Sequence, residues 1–225
     1  MNRPARQDAA VALAALAALL LWELSGWDLS LSRWYGSASG FAWRDAWLTS
    51  TLLHEGGRAL AWALMALLVV DAVRPLVRGP ARAARWRGIA MTLACLLVVP
   101  TIKRATHSSC PWDLAEFGGI AAYVPHWIPG VADGGPGHCF PSGHAVAAFG
   151  FLSGYFVLRD VRPRVAHAWL AAVCVLGLVF GWAQLARGAH YLSHTLWSAW
   201  LCWLICTLAD GIALRPRRAA LRVSA

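Results

Sequence analysis

Residues 137–145 read GHCFPSGHA and stand at the start of the apolar run AVAAFGFL, residues 145–152. The stretch places two histidines, a cysteine, a proline and two glycines where the chain would enter a membrane. Proline suits the first turn of a helix because it has no amide hydrogen to leave unpaired, and glycine lets a ligand approach the backbone closely. The stretch therefore predicts a helix start that presents polar groups at a membrane boundary.

The composition is that of an integral membrane protein. Of the 225 residues, 59% are hydrophobic and 14% are charged, against about 45–50% and about 25% in average soluble proteins. The fourteen tryptophans fit this class, because indole prefers the membrane–water interface. A spanning helix needs about 20 residues. The sequence predicts an all-α fold, a bundle of six transmembrane helices near 8–27, 53–73, 87–106, 141–159, 165–186 and 190–214.

The N-terminal helix has an alternative interpretation. Arg3 and Arg6 precede an Ala/Leu run, as in a secretory signal, but LWELSGWDLS follows in place of a small-residue cleavage site, so we predict a retained helix. Residues 28–52 mix charged and aromatic side chains and are expected to lie on the membrane surface between helices 1 and 2. No repeat or long linker is visible, so residues 1–225 are expected to form a single integral-membrane domain.

Arginine placement predicts the orientation. Basic residues cluster at the N-terminus, at 74–87, at 159–164 and in the tail at 215–222. With six helices these regions share one side, which the positive-inside rule makes cytoplasmic. The chain is then a multi-pass protein of the cell inner membrane with both termini cytoplasmic. The formal charge of +9 follows from topology and lipid headgroups, and a nucleic-acid partner is not expected.

Two features on the outward side are suited to binding an anion. Lys103, the only lysine, lies at the outer end of the third predicted helix. Ser142 and Gly143 offer backbone amides at the start of the fourth helix, and His144 can exchange a proton near neutral pH. The structural alternatives are a lysine that snorkels to the interface and an ordinary helix start with a capping histidine.

A third feature is the segment ARGAHYLSHTLW, residues 186–197. Arg187 carries a permanent, fork-shaped cation suited to phosphate. His190 and His194 are four residues apart and would share a helix face. Such a pair can also bind zinc, but the glutamate usual between zinc-binding histidines is replaced by Tyr, Leu and Ser. We therefore expect no metal here.

Together, the motifs at 103–111, 141–144 and 187–194 resemble those of the type 2 phosphatidic acid phosphatase superfamily. That family has K-x6-R-P, then P-S-G-H, then S-R-x5-H-x3-D, on six membrane helices. Lys103, Pro111, P-S-G-H and His190 match in order. The departures are Cys110 for the arginine, Ala183 and Gln184 for Ser-Arg, and His194 for the aspartate, so the chain resembles a divergent subfamily.

The resemblance implies phosphoryl transfer without metal or cofactor. His190 would attack phosphorus to form a phosphohistidine, and His144 would protonate the leaving oxygen. His194 would orient His190 in place of the aspartate, with weaker activation, unless Asp113 or Glu116 folds in. The expected phosphate-binding groups are Lys103, Ser142, Gly143 and Arg187. Arg104 and His107 are further candidates, and the alternative for these two is that they are solvated loop residues.

The two outward cysteines have two interpretations. If this face is periplasmic, the compartment is oxidising, and Cys110 and Cys139 are expected to form a disulfide. The alternative is a zinc site. It would draw on His107, Cys110, His126 and either His138 or Cys139.

The predicted function is hydrolysis of a lipid phosphomonoester or pyrophosphate at the outer, periplasmic face. Candidate substrates are undecaprenyl pyrophosphate, phosphatidate-type lipids and lipid A phosphates, with the bilayer as the other partner. The alternatives are a phosphotransferase of the same fold that moves phosphate between lipids, and a non-catalytic membrane factor.

Overall fold

A computed structural model describes residues 3–128 and 130–223, with side chains for 4–128 and 130–212; the side chains of Arg3 and of the tail arginines are outside it. The described chain is helical apart from one pair of two-residue strands. Five helices are long and apolar enough to cross a membrane, which is the pattern of a multi-pass membrane protein. The long elements are α1 (Arg3–Ser25), a π-helix (Trp47–Glu55) continuous with α3 (Gly56–Val73), α4 (Arg82–Arg104), α7 (Pro163–Ala186) and α8 (Leu192–Val223).

The fourth predicted span is shorter than expected. It consists of α5 (Val146–Phe149), a 3-10 turn (Gly150–Leu152) and α6 (Ser153–Leu158), an apolar unit of residues 146–158. At 1.5 Å per residue this unit is about 20 Å long, less than the roughly 30 Å of bilayer hydrocarbon. The structure thus has five long apolar helices and one short one, and residues 141–145 precede the helix as a turn.

Residues 28–52, expected on the membrane surface, fold into several short elements. These are α2 (Trp27–Ser32), a hairpin of β1 (Gly36–Ser37) and β2 (Gly40–Phe41), and the first turns of the π-helix. Trp27, Trp34 and Trp47 are exposed, as side chains that prefer a membrane interface would be. The second long helix therefore begins at Trp47, six residues earlier than predicted.

The short helical unit forms the centre of the bundle. Phe149, Phe151 and Phe156 are almost fully buried in an apolar cluster that includes residues of α4, α7 and α8. Gly177 of α7 makes this packing possible, because a Cβ atom there would lie 2.3 Å from Phe149 Cζ. Small residues allow membrane helices to approach closely, so α7 lies directly against α5.

A second, smaller core lies at the outward end. Phe41, Leu114, Phe117 and Tyr191 pack together there, and we call these four residues the outer cap. The Trp112 amide donates a hydrogen bond of 2.9 Å to the carbonyl of Gly188, which joins the loop after α4 to the link between α7 and α8. The outer cap therefore holds the α7–α8 link in place.

The opposite end of the bundle is held by buried ion pairs. Arg159 lies 2.6 Å from Asp8 and 2.8 Å from Asp210, and Arg87 lies 3.2 Å from the other oxygen of Asp210. The two carboxylates are almost fully buried. Burying charge is costly without a partner, so this network ties α1, α4 and α8 to the residue that follows α6.

We predict that Arg159→Met lowers the free energy of unfolding by about 3–5 kcal/mol, because it leaves buried carboxylates without their counter-ion. Thermal or denaturant unfolding in detergent measures the loss. The matched control is Arg164→Met, at an exposed arginine nearby, which should change stability by less than about 0.5 kcal/mol. Equal effects of the two substitutions would contradict this role.

Candidate active site

The link between α7 and α8 places His190. The amides of Ala189 and His190 donate to the carbonyl of Gln184 at 2.8 and 3.2 Å, which closes the last turn of α7. His190 is buried and comes two residues before α8 begins at Leu192. His194 lies in the first turn of α8, and the Nδ1 atoms of the two imidazoles are 3.4 Å apart. The two histidines therefore form a buried pair.

Lys103 from α4 reaches the other side of His190. Its Nζ atom lies 3.5 Å from His190 Nε2. An ammonium can only donate, so Nε2 is the nitrogen with the free lone pair and Nδ1 carries the hydrogen toward His194. Burial and the Lys103 charge hold the pKa of His190 well below its usual range. His190 is thus a neutral imidazole whose basic nitrogen faces the cation.

His144 lies in the turn before α5. Its Nε2 atom is 3.1 Å from the carbonyl oxygen of Leu53, which can only accept, so Nε2 carries the hydrogen and Nδ1 is the basic atom. Burial, and then the neighbouring His54, lower the pKa of His144 to about 4. The ring of His54 is 4.4 Å from that of His144, centroid to centroid. His144 is therefore held as a neutral, oriented imidazole.

The P-S-G-H turn is tied to the start of α8. The Ser142 amide donates to the His194 carbonyl at 3.1 Å, and the Ser142 hydroxyl accepts from the Ala145 amide at 3.4 Å. Gly143 packs on Lys103, since a Cβ atom there would lie 3.7 Å from Lys103 Cδ. Among the described residues, the Gly143 amide has no hydrogen-bond partner. Of the two amides expected to be free, those of Ser142 and Gly143, only the Gly143 amide is free, and it belongs to the residue next to the Lys103 side chain.

The two arginines expected at the site differ in position. Arg187 is half-buried and donates from Nε to the carbonyl of Arg44 at 2.8 Å. Its charge is close enough to contribute to the low pKa of His144. Arg104, the last residue of α4, is exposed and forms no hydrogen bond or ion pair in the described part of the chain. The structure therefore groups Lys103, Gly143, His144, His190 and His194, with Arg187 at the margin.

A disulfide borders the site. Cys110 and Cys139 are joined with an S–S distance of 2.09 Å. Cys139 Sγ lies 3.5 Å from His190 Nδ1, so the bridge stands directly beside the histidine pair. Both versions of the zinc alternative need the Cys110 sulfur as a thiolate, and that sulfur is used in the bridge. His107 and His138, the other outer ligands of that set, are exposed.

The carboxylates expected near His190 lie elsewhere. Asp113 accepts the Cys110 amide within its own turn, and Glu116 is paired with Arg33. The prediction that Asp113 or Glu116 folds in toward His190 is therefore wrong, because local partners hold both. The carboxylates nearest to the third motif come from earlier in the chain. Asp28 accepts the Ser193 amide at 3.0 Å, and Glu23 lies 3.2 Å from His126.

Sequence reasoning also missed His54. The π-helix brings its ring to His144, and Gln184 Nε2 lies 3.2 Å from His54 Nδ1. π-helical turns occur frequently at functional sites. Ionisable residues inside apolar spans are costly and usually functional, and this signal was available, because His54 and Glu23 both interrupt predicted membrane helices.

A family model described as the PAP2 superfamily matches residues 84–214, more than half of the chain. The match begins in the first turns of α4 and includes Lys103, P-S-G-H, His190 and His194. Comparisons with curated proteins and with solved structures gave no match.

We predict that the double substitution Cys110→Ser/Cys139→Ser lowers the free energy of unfolding by about 3–4 kcal/mol, since the bridge closes a loop of 29 residues. Unfolding in detergent measures the change. The control is Cys174→Ser, at a half-buried free cysteine. Intact mass before and after reduction should differ by two hydrogens; two free thiols in the non-reduced protein would contradict the bridge.

Proposed function

The chain belongs to the PAP2 superfamily, and from this premise we propose that it hydrolyses a lipid phosphomonoester or pyrophosphate through a phosphohistidine on His190. The observation that carries the proposal is the 3.5 Å contact between Lys103 Nζ and His190 Nε2, with His144 one residue from the glycine that packs on Lys103. A neutral imidazole with its lone pair beside an ammonium is arranged to attack an anionic phosphorus centre.

In the first step, His190 Nε2 forms a bond to phosphorus and the bond from phosphorus to the lipid oxygen breaks. The leaving oxygen takes a proton from His144 Nδ1. This proton comes from the monoanionic phosphate of the substrate, because free His144 is neutral at pH 7. The carbonyl of Leu53 holds Nε2 and keeps Nδ1 directed to the reaction.

In the second step, water attacks the phosphohistidine. His144 Nδ1 removes a proton from the water, the N–P bond breaks, and the electron pair returns to His190 Nε2. The proton then passes from His144 to the departing inorganic phosphate, and His144 is neutral again. The same imidazole thus acts as acid in one step and as base in the next, and the reaction needs no other proton-transfer group.

Positive groups stabilise the charge on the phosphoryl oxygens in both steps. Lys103 Nζ lies beside His190 Nε2, Gly143, whose amide is free, lies next to the Lys103 side chain, and Arg187 bonds to the carbonyl of Arg44. Ser142 contributes only through its hydroxyl, because its amide is used by His194. The resemblance predicts an arginine at position 184. Gln184 is there instead, and it contacts His54, so His54 lies next to the expected position of that cation. Charge stabilisation of this kind supplies most of the catalysis in phosphoryl transfer.

We place the site at the outer face of the inner membrane. The arginine-rich segment 74–87 lies at the start of α4, and Lys103 lies at its other end. By the positive-inside rule the first end is cytoplasmic, so the site faces the periplasm and both termini face the cytoplasm. A lipid such as undecaprenyl pyrophosphate, phosphatidate or lipid A presents its phosphate at that face, and residues 1–225 act as one domain.

We predict that kcat/KM for a lipid phosphomonoester falls as pH rises through the second pKa of the phosphate, about 6. The pKa of about 4 keeps His144 neutral above that pH, and burial holds the pKa of His190 well below its usual range, so the proton for the leaving oxygen arrives with the substrate monoanion. The loss should approach about tenfold per pH unit at alkaline pH. Initial rates from pH 4 to pH 9 measure it; a kcat/KM that rises between pH 6 and pH 9 would contradict the mechanism.

We predict that the purified protein releases inorganic phosphate from at least one member of a panel of lipid phosphates. This activity should persist when a chelator is present and should be inhibited by vanadate. His190→Ala should abolish turnover, and His144→Ala should lower it by about 10²–10⁴-fold. His107→Ala, at an exposed outer histidine, is the control and should retain activity. Phosphate that appears on an acceptor lipid would favour the phosphotransferase, and unchanged cellular function in both histidine variants would favour a non-catalytic factor.

A further inference from the structure

Glu23 is a buried carboxylate near the end of α1, directly after the apolar run of residues 9–22. Its side chain is only 8% exposed, and that of its neighbour His126 only 6%. Glu23 Oε1 lies 3.2 Å from His126 Nε2 and accepts a hydrogen bond of 2.8 Å from Trp197 Nε1. A buried charge is retained only when partners compensate its lost hydration. The 3.2 Å contact is a close approach and not a hydrogen bond, because His126 Nε2 has no hydrogen-bond partner among the described residues. The carboxylate and its imidazole form a buried, adjacent unit, contributed by α1 and the outer loop.

His126 brings this unit to the histidine pair. Its ring stacks on Phe140, with centroids 3.9 Å apart, and lies perpendicular to the ring of His194, with centroids 5.1 Å apart. His194 is fully buried, and its Nε2 atom has no hydrogen-bond partner among the described residues. One ring therefore separates the Glu23–His126 unit from His190.

We propose that Glu23 and His126 are positioning residues that act on His190 through His194 and perform the role of the aspartate that is absent at position 194. This inference rests on the proposed function. His190 Nδ1 donates its hydrogen to His194 Nδ1, which places the His194 hydrogen on Nε2, the buried atom without a partner. His126, which lies 3.2 Å from Glu23, is in edge-to-face ring contact with His194.

The charge acts when phosphorus bonds to His190 Nε2. The imidazole of His190 then gains positive charge, which a neutral His194 stabilises poorly. Glu23 supplies the opposite charge in a buried, low-dielectric region, where electrostatic interactions are stronger than in water. The unit therefore favours the phosphoenzyme and the transition states on either side of it, and it makes little difference to the binding of substrate.

Asp28 is the other buried carboxylate near this point. It accepts the amide of Ser193 at 3.0 Å and the indole of Trp22 at 3.0 Å. These bonds hold the backbone at the first turn of α8, and Asp28 contacts neither His190 nor His194 through a hydrogen bond in the described chain. Asp28 thus fixes the position of the helix start, whereas Glu23 is joined to an imidazole that faces His194.

The first experiment substitutes the unit in the full-length protein in detergent. Glu23→Gln keeps the shape and the hydrogen bond from Trp197 but removes the charge, and it should lower kcat by roughly 10- to 100-fold, the range known for carboxylate partners of metal-binding histidines, with KM within about twofold of wild type. His126→Phe keeps the stack on Phe140 and should cause the same loss. The control, Glu116→Gln, alters an exposed outer carboxylate and should leave kcat unchanged.

The deciding measurement is a double-mutant cycle with His194→Asp, which places a carboxylate directly beside His190. In that background, Glu23→Gln should no longer lower kcat, because the carboxylate at position 194 already stabilises the charge on His190. An equal loss in both backgrounds, or wild-type kcat in Glu23→Gln, would overturn the proposal while the lipid phosphatase activity stands. If the wild-type protein showed neither turnover of any lipid phosphate nor an acid-labile phosphohistidine, that result would overturn the proposed function and this inference together.

Discussion

The contact between Lys103 and His190 is the constraint around which the outward half of the protein is arranged. It joins the end of α4 to the link before α8, so both segments must be held in place. The outer cap, the Cys110–Cys139 bridge and the Ser142–His194 hydrogen bond each hold one of these segments. Burial and the adjacent positive charge both disfavour protonation and hold the pKa of His190 well below its usual range, so the imidazole stays neutral.

Two kinds of electrostatic environment divide the molecule. At the arginine-rich end, charges meet in compact pairs that satisfy one another, as Arg159 does with Asp8 and Asp210. At the end that carries the candidate site, His190 and His194 are buried and His144 is half-buried, and no carboxylate of the described residues is hydrogen-bonded to these three imidazoles. The first environment stabilises the fold, and the second keeps the imidazoles of His144 and His190 neutral. Glu23 is a buried carboxylate at this end, but it contacts His126 and not these three rings.

Short sequence patterns were enough to predict the helical class, the family and the group formed by Lys103, His144 and His190, because the chemistry of those residues is local to each motif. The shortness of the fourth helix, 13 residues, was not predictable from hydropathy. The Ser142 amide bonds to the His194 carbonyl, and the helix begins only at Val146. Hydropathy does not detect such a hydrogen bond. The π-helix that brings His54 to His144 has no periodic signature. Glu23 was missed because α1 and His126 meet only in three dimensions, more than 100 residues apart in sequence.

The brevity of the unit at residues 146–158 has a consequence for how lipid reaches the protein. Its length of about 20 Å falls roughly 10 Å short of the hydrocarbon layer. In the proposed orientation, residue 159 lies toward the inner side of the membrane, and the turn that carries His144 lies below the level of the outer headgroups. The phosphate of the proposed lipid substrate would then descend into the bilayer, or the membrane would thin around the bundle at a cost of fractions of a kcal/mol per ångström. Bilayer thickness would thereby affect the rate of the proposed reaction.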